Sequence, residues 1–205
     1  GAVDVASQFA LFEKFGVSVQ ASSQAFTVLN RSLGRTTTES LKTLNNVAAL
    51  GREIGVGPAR LTQDFAEALP RLSIYGNQTE KVFANIAVSA SKLGLEVADV
   101  IDLAEGFQTF EGSAEAAGKL NAILGGGFID NIELMEKAFE NPAEAALMIR
   151  DAFKSANMSV GSMGPAAIKA AAAAAGFSNV GKFRSFLEGE ISATEALGDD
   201  QLKAT

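Results

Sequence analysis

From Phe9 to Leu187 apolar residues return every three or four positions, and nearly every such stripe is closed by a glycine or restarted by a capping residue. That alternation of helix signals and helix stops restricts the fold more than any other feature. A period near 3.6 gathers apolar side chains on one face of a helix, and no window sustains the strict alternation of a strand. Phe9, Phe12 and Phe15 form one stripe from Asp4 on, closed by Gly16. Ala21, Ala25, Phe26, Leu29 and Leu33 form the next, closed by Gly34. Thr36 and Glu39 make a capping box, each side chain satisfying the other's backbone N–H, and open a helix through Leu41, Leu44 and Val47 to Gly55. Gly57-Pro58 restarts the chain as cap and first helical residue. Pro70 is expected to kink or end that helix near Leu69. Asn77 with Glu80 is expected to cap the next, which carries Val82, Phe83, Ile86 and Ala90.

The stretch from Lys92 to Ile132 is where the other segments converge. It reads as helix, short connection, helix, glycine hinge, helix. Gly94 stands where a helix ends in a left-handed turn, a conformation that a Cβ penalises. Gly125, Gly126 and Gly127 form a run that a helix interior keeps only at a cost, and are expected to act as a joint between a helix from Ser113 and one from Asp130. Leu93, Leu103, Leu120, Ile123 and Leu124 are then expected to face one core. Further on, Asn141-Pro142-Ala143-Glu144 is a cap, a first helical residue and a closing carboxylate. The polar segment 157–164 reads as a linker between a helical core domain, 1–156, and a small C-terminal hairpin, 165–198. In that hairpin Pro165 opens an alanine-rich helix ending at Gly176, Ser178 caps a helix with Phe183 and Leu187, and Ser192 with Glu195 caps a last turn. The segment Asp199–Thr205 is expected to fray. Leu50–Val56, Ser89–Leu95 and Ala171–Phe177 echo one another, as one style of hairpin reused. The fold expected is all-α, an irregular array of helical hairpins with about nine or ten helices.

Composition narrows the chemistry. The 205 residues contain no Cys and no His, which removes disulfides, thiolate metal sites, Ser-His-Asp and Cys-His machinery, and the usual general base near neutral pH. Hydrophobic residues are 47% of the chain, but no apolar run approaches the roughly 20 residues that span a bilayer. No secretory or transit signal opens the sequence, and its start at Gly1-Ala2-Val3 without Met reads as a processed product or a fragment. The net charge is −7 and is unevenly spread. Between Arg31 and Lys92 eight Lys/Arg face five Asp/Glu, whereas between Glu96 and Asp151 twelve acids face three bases. A basic half followed by an acidic half suits self-association or packing on charged neighbours. The acidic total argues against a sequence-specific nucleic-acid binder, which needs a basic face to displace counterions.

Three short segments carry a resemblance. Lys92-Leu93-Gly94-Leu95, then Phe110-Glu111, then Asn121-Ala122-Ile123-Leu124-Gly125 follow one another as in the helical block of tape-measure proteins of tailed bacteriophages. The resemblance covers about Val82 to Leu187. It implies a structural virion protein and not an enzyme: a segment of a longer tape-measure chain that helps set tail length, lies inside the tail tube or hub, and is released on genome ejection. Its partners would be copies of itself and tail-tube or baseplate hub proteins. Its place would be the tail interior, after assembly in the host cytoplasm. No cofactor is implied. Tape-measure proteins are typically far longer, with extended heptads that this chain lacks.

Other features carry competing chemistry. Ala172, Gly176-Phe177-Ser178-Asn179 and Phe183-Arg184 resemble the second helix-turn-helix of AraC-type transcription regulators, in which the following helix enters the major groove. Here that helix offers only Lys182 and Arg184 as cations. Asp99, Asp102 and Glu105 lie three apart on one helical face, an acidic strip suited to a hard cation or to plain solvation. Glu111 beside Phe110 is the candidate for a carboxyl raised by apolar neighbours, as a muralytic segment of a virion protein would require, but no second carboxylate is placed for the role. The Gly125–Gly127 run lacks the Lys-Ser/Thr of a phosphate loop. The fourteen Phe read as core and helix-interface material.

Overall fold

The structure is a computed structural model and describes residues 5–189. Among the described residues there are eleven α-helices, two short 3₁₀ segments and no strand. The chain divides into two compact units, the first ending at Ala87 and the second beginning at Val88. The boundary therefore falls inside a helix. The segment 157–164 lies within the second unit, and the helices on either side of it share one neighbour, the helix Val180–Glu188.

In the first unit, α1 (Val5–Lys14) packs on α2 (Val19–Arg31), and α3 (Thr37–Glu53) and α4 (Pro58–Leu72) pack against each other and against α2. The capping box forms: Thr36 N–H donates to Glu39 at 2.8 Å and Glu39 N–H donates to Thr36 Oγ1 at 3.2 Å. Leu29, Leu44, Leu61, Phe65 and Leu69 are fully buried. Pro70 does not end its helix, which continues to Leu72. A proline withdraws the N–H that would bond the carbonyl four residues back. That carbonyl, of Ala66, instead accepts a long 3.5 Å bond from Gln24 Nε2. The 3₁₀ segment Ser73–Gln78 follows. Asn77 lies within it and is not the expected cap; α5 (Thr79–Leu93) begins two residues later. Thr79 anchors this start, the one hydrogen of its hydroxyl shared between the Leu72 and Gly76 carbonyls at 3.0 and 2.7 Å. Glu80, expected to close a capping box, is turned inward. It accepts from Thr43 Oγ1 and Asn46 Nδ2, both at 2.7 Å, and from Arg35 at 3.2 Å. Burial pushes its carboxyl up, but these three donors and the Arg35 charge outweigh it and leave the group below its ordinary value.

In the second unit, α6 (Val97–Phe107) packs on α7 (Phe110–Leu124), α8 (Asn131–Glu140) and α9 (Pro142–Ser155). The alanine-rich α10 (Pro165–Ala174) lies on α7, and α11 (Val180–Glu188) on α9 and α10. Small residues let α10 approach closely: Ala171, Ala172 and Ala175 are all but inaccessible. Phe183 sits edge-on to Phe153 at 5.6 Å and 5.5 Å from Phe177, while Phe186 lies 5.0 Å from Phe177. These four rings seal α11 to the unit, each pair adding to what burial alone supplies.

Helix caps also differ from the sequence reading in the second unit. Thr109, not Ser113, caps α7, its hydroxyl accepting from Gly112 N–H at 3.0 Å. Ser113 lies buried one turn in, donating to the Phe110 carbonyl at 3.1 Å. Asn179, not Ser178, caps α11, accepting from Gly181 and Lys182 N–H. Asn141 does precede Pro142 at the start of α9, but its amide bonds the Glu144 carboxylate at 2.9 Å and not a helix N–H. The expected Ser192–Glu195 cap and the segment from Asp199 lie outside the described residues, as do Gly1 to Asp4.

Candidate functional site

The block from Lys92 to Ile132 contains two helix ends built on glycine. At the first, Gly94 is left-handed at φ +65°. Its N–H donates to Ser91 O at 3.4 Å and the next N–H, of Leu95, donates to Ala90 O at 2.9 Å. This pair of bonds satisfies the carbonyls that a helix leaves orphaned at its end. Gly176 (φ +85°) ends α10 with the same pattern, its N–H donating to Ala173 O and that of Phe177 to Ala172 O. Gly55, the third member of the echo seen in the sequence, closes differently, since Gly57 N–H reaches back to Gly51 O at 2.7 Å. After Gly94 only Leu95 and Glu96 intervene before α6, and Glu96 N–H donates to the Asp99 carboxylate at 3.0 Å.

At the second helix end Gly125 is left-handed at φ +77°, and both its N–H and that of Gly126 donate to Asn121 O. Gly126 and Gly127 are not left-handed. The five residues after Gly125 are organised by one side chain. Asn121 Oδ1 accepts from Phe128 N–H and Ile129 N–H, both at 2.9 Å, and its Nδ2 donates to Ile129 O at 2.8 Å. Asp130 then caps α8 by accepting from Glu133 N–H at 2.9 Å. The connection is a bonded turn hung on the last turn of α7, and Asn121 is the residue that sequence reasoning placed in a motif without assigning it this task. Its position four residues before a glycine, with a carbonyl and an amide both within reach of the chain beyond, is the signal that was there to be read.

Leu93 and Leu120 are fully inaccessible, Leu103 is 2% exposed and Leu124 8%. All four are buried as the periodicity predicts. Ile123 is not: it is half-buried, one residue off the face that carries Leu120 and Leu124.

The acidic strip is occupied by the chain's own cation. Lys182 Nζ of α11 lies 2.6 Å from Asp99 Oδ1 and 3.8 Å from Glu96 Oε2. The Asp99 hydrogen bond, with the charges of Asp99, Glu96 and Asp102, raises the Lys182 ammonium above its ordinary value despite some burial. Lys182 is thus committed to an internal contact, which leaves Arg184 as the other cation of the helix that a DNA-reading module would insert. Among the described residues no group of three acids converges as a metal site. Glu111 and Phe110 open α7 on the surface, with Phe110 61% exposed, so the carboxyl stands in solvent and not in an apolar pocket.

Arg150 of α9 is buried, 8% exposed. Its Nη2 donates to the Gly189 carbonyl at 2.6 Å, and its Nε has no hydrogen-bond partner among the described residues. Gly189 ends α11 beside the last carbonyl of α5: a Cβ there would stand 2.8 Å from Leu93 O and 2.6 Å from Ser185 O. Carbonyls at two helix ends therefore face this region, and such ends favour a cation.

An open groove of about 430 Å³ runs between α8 and α9. Phe128, Leu147 and Met148 line it, together with Glu133, Glu144 and Asp151. Lys137, within it, is paired with Glu144 at 3.1 Å and Glu133 at 3.7 Å. Phe15, Phe110, Phe128 and Phe139 are exposed, so these four of the Phe side chains, expected as core or helix-interface material, are not core.

What these features define is an all-α protein whose described surface carries both apolar and acidic side chains. No protein family, curated protein or solved structure matches the chain. No described helix is long and apolar enough to cross a membrane.

Proposed function

We propose that this chain is a structural segment of a tape-measure or related internal tail protein of a tailed bacteriophage, working by assembly and not by catalysis. The observation that carries the reading is the ordered succession of Lys92–Leu95, Phe110-Glu111 and Asn121–Gly125. What supports it is that each of the three marks a helix boundary: the end of α5, the opening of α7 and the end of α7. They are the places that set the chain's path, so a resemblance carried by them is one of architecture. Exposed aromatic side chains and the acidic α6–α9 region supply surfaces for copies of the chain and for tube or hub proteins. On this reading the protein assembles in the host cytoplasm, resides in the tail interior and leaves with the genome.

The test is peptide mass spectrometry on purified virions of the phage that encodes the chain, before and after triggered genome ejection. Peptides of this sequence should be present before and depleted after. Their absence from intact particles would overturn the reading.

A further inference from the structure

The segment Ser73–Gln78, between α4 and α5, is fastened by polar contacts and not by burial. None of its residues is buried, and Gly76 interrupts it at φ 53°, ψ −120°. Segments with few buried apolar contacts are the ones that open locally while the rest of a fold stays intact. Such an opening is bounded here. Leu72 is buried on the α4 side, and on the α5 side Phe83 is inaccessible and edge-on to Phe65 at 4.8 Å. Between those two residues stand the Thr79 hydroxyl, on the Leu72 and Gly76 carbonyls, and Glu80, which reaches across to α3 and the connection before it.

Glu80 is the first charged residue after Arg71. Its Oε1 accepts from Asn46 Nδ2 at 2.7 Å, and its Oε2 accepts from Thr43 Oγ1 at 2.7 Å and Arg35 Nη1 at 3.2 Å. Thr43 Oγ1 in turn accepts from the same Arg35 nitrogen at 2.6 Å, so its own hydrogen is directed to the carboxylate. The arrangement fits an ionised group, since Arg35 and Asn46 Nδ2 present only hydrogens. A proton on Glu80 would remove the charge opposite Arg35 and set a donor among donors. The other charged groups on neighbouring turns are Glu39 and Lys42 of α3, Glu67 and Arg71 of α4, and Lys81 of α5. Glu39 is taken by Thr36, and Arg35 supplies the charge that acts on Glu80.

We propose that Glu80 is the clasp of an acid-released strap: on taking up a proton it frees Ser73–Gln78 and the first turn of α5, while α3, α4 and the rest of α5 stay folded. The sign follows from the site. Burial disfavours the ionised form, but the three donors and the Arg35 charge outweigh it and hold the carboxyl below its ordinary value. A group so held contributes its stability at neutral pH and loses it as pH falls through the depressed value. Release therefore comes below the ordinary carboxylate range. The strap goes beyond the assembly reading and stands or falls without it.

The chain supplies its own reporter. Tyr75, in the strap, is its one tyrosine, and it has no tryptophan. The tyrosine band of near-UV circular dichroism thus follows the strap, and the far-UV signal follows the helices. On acid titration of the intact chain the Tyr75 band should be lost in a one-proton step while the helix signal holds. Glu80→Gln should show the released band already at neutral pH and no step. Thr43→Val, which withdraws one donor, should keep the strap closed at neutral pH and move the step to higher pH; it decides the matter if the first variant does not fold. A Tyr75 band that falls only together with the helix signal overturns the strap. So does a step left unmoved by Thr43→Val, or a Glu80→Gln band that matches the native one at neutral pH.

Discussion

The ends of α5 and α7 both turn left-handed at a glycine, yet they are secured by different means. Past Gly94 the chain needs two residues to begin α6, and the turn is closed by backbone bonds alone, with Asp99 taking up the Glu96 N–H. Past Gly125 it takes five residues to reach α8, and three hydrogen bonds from the Asn121 side chain hold them. A short connection leaves few backbone groups to satisfy, whereas a longer one exposes more of them and needs an adaptable partner with both donor and acceptor. The glycine is the same device in both; the load that follows it is not.

Packing beneath the two ends should be equivalent. Leu93 and Leu120 are each fully inaccessible, so Leu93→Ala and Leu120→Ala should each cost about 2–5 kcal/mol through lost transfer energy and a residual cavity. Chemical denaturation measures both, and a large cost at only one would break the comparison at its base. Asn121→Ala should separate the ends. It strands the N–H groups of Phe128 and Ile129 and should cost about 1–3 kcal/mol, with hydrogen exchange rising at those two amides and unchanged at Leu95. Equal exchange at both ends would mean that the side chain is incidental.

Gly94→Ala and Gly125→Ala should then cost about 1 kcal/mol each. A Cβ at Gly94 meets only ordinary contact, 3.6 Å from Ser185 O, and at Gly125 it meets nothing within 4 Å. The strain is therefore in φ and not in space, and thermal melts of the two variants should coincide. Smallest of all should be Lys182→Ala, below about 1 kcal/mol because the ammonium is largely solvated. Its effect should fade as salt is raised.

The elements were legible where a local rule suffices. Thr36 and Glu39, three residues apart, satisfy each other without help from the rest of the chain, and Gly94 and Gly125 announce a conformation that other residues resist. Reading failed where a distant group intervened. Glu80 looked like the partner of Asn77, but Arg35, Thr43 and Asn46, all more than thirty residues away, draw it inward. Pro70 looked like a stop, but its missing hydrogen bond falls on a carbonyl that Gln24 reaches from another helix. Ile123 sits at a helical spacing that fits the core equally well on paper, and only the packing of neighbours decides which edge of a stripe is covered. The Asp99–Lys182 pair joins residues 83 apart, a separation at which charge pattern gives no guidance.

Arg150 bears on how the protein can be trimmed. Its guanidinium is almost wholly shielded from water and holds a single hydrogen bond among the described residues, to the carbonyl of Gly189. A cut one residue earlier, after Glu188, would leave the whole of α11 in place and still remove that acceptor. A stranded, shielded donor costs about 1–3 kcal/mol, and more when it carries charge. Nor can another residue take the glycine's position, since any side chain there would collide with the Leu93 and Ser185 carbonyls. An expression variant, or a protease acting on the folded chain, therefore meets a sharp limit at Gly189: material beyond it can be tested for removal, but shortening past it should loosen α9 from α11 even though no helical residue has been lost.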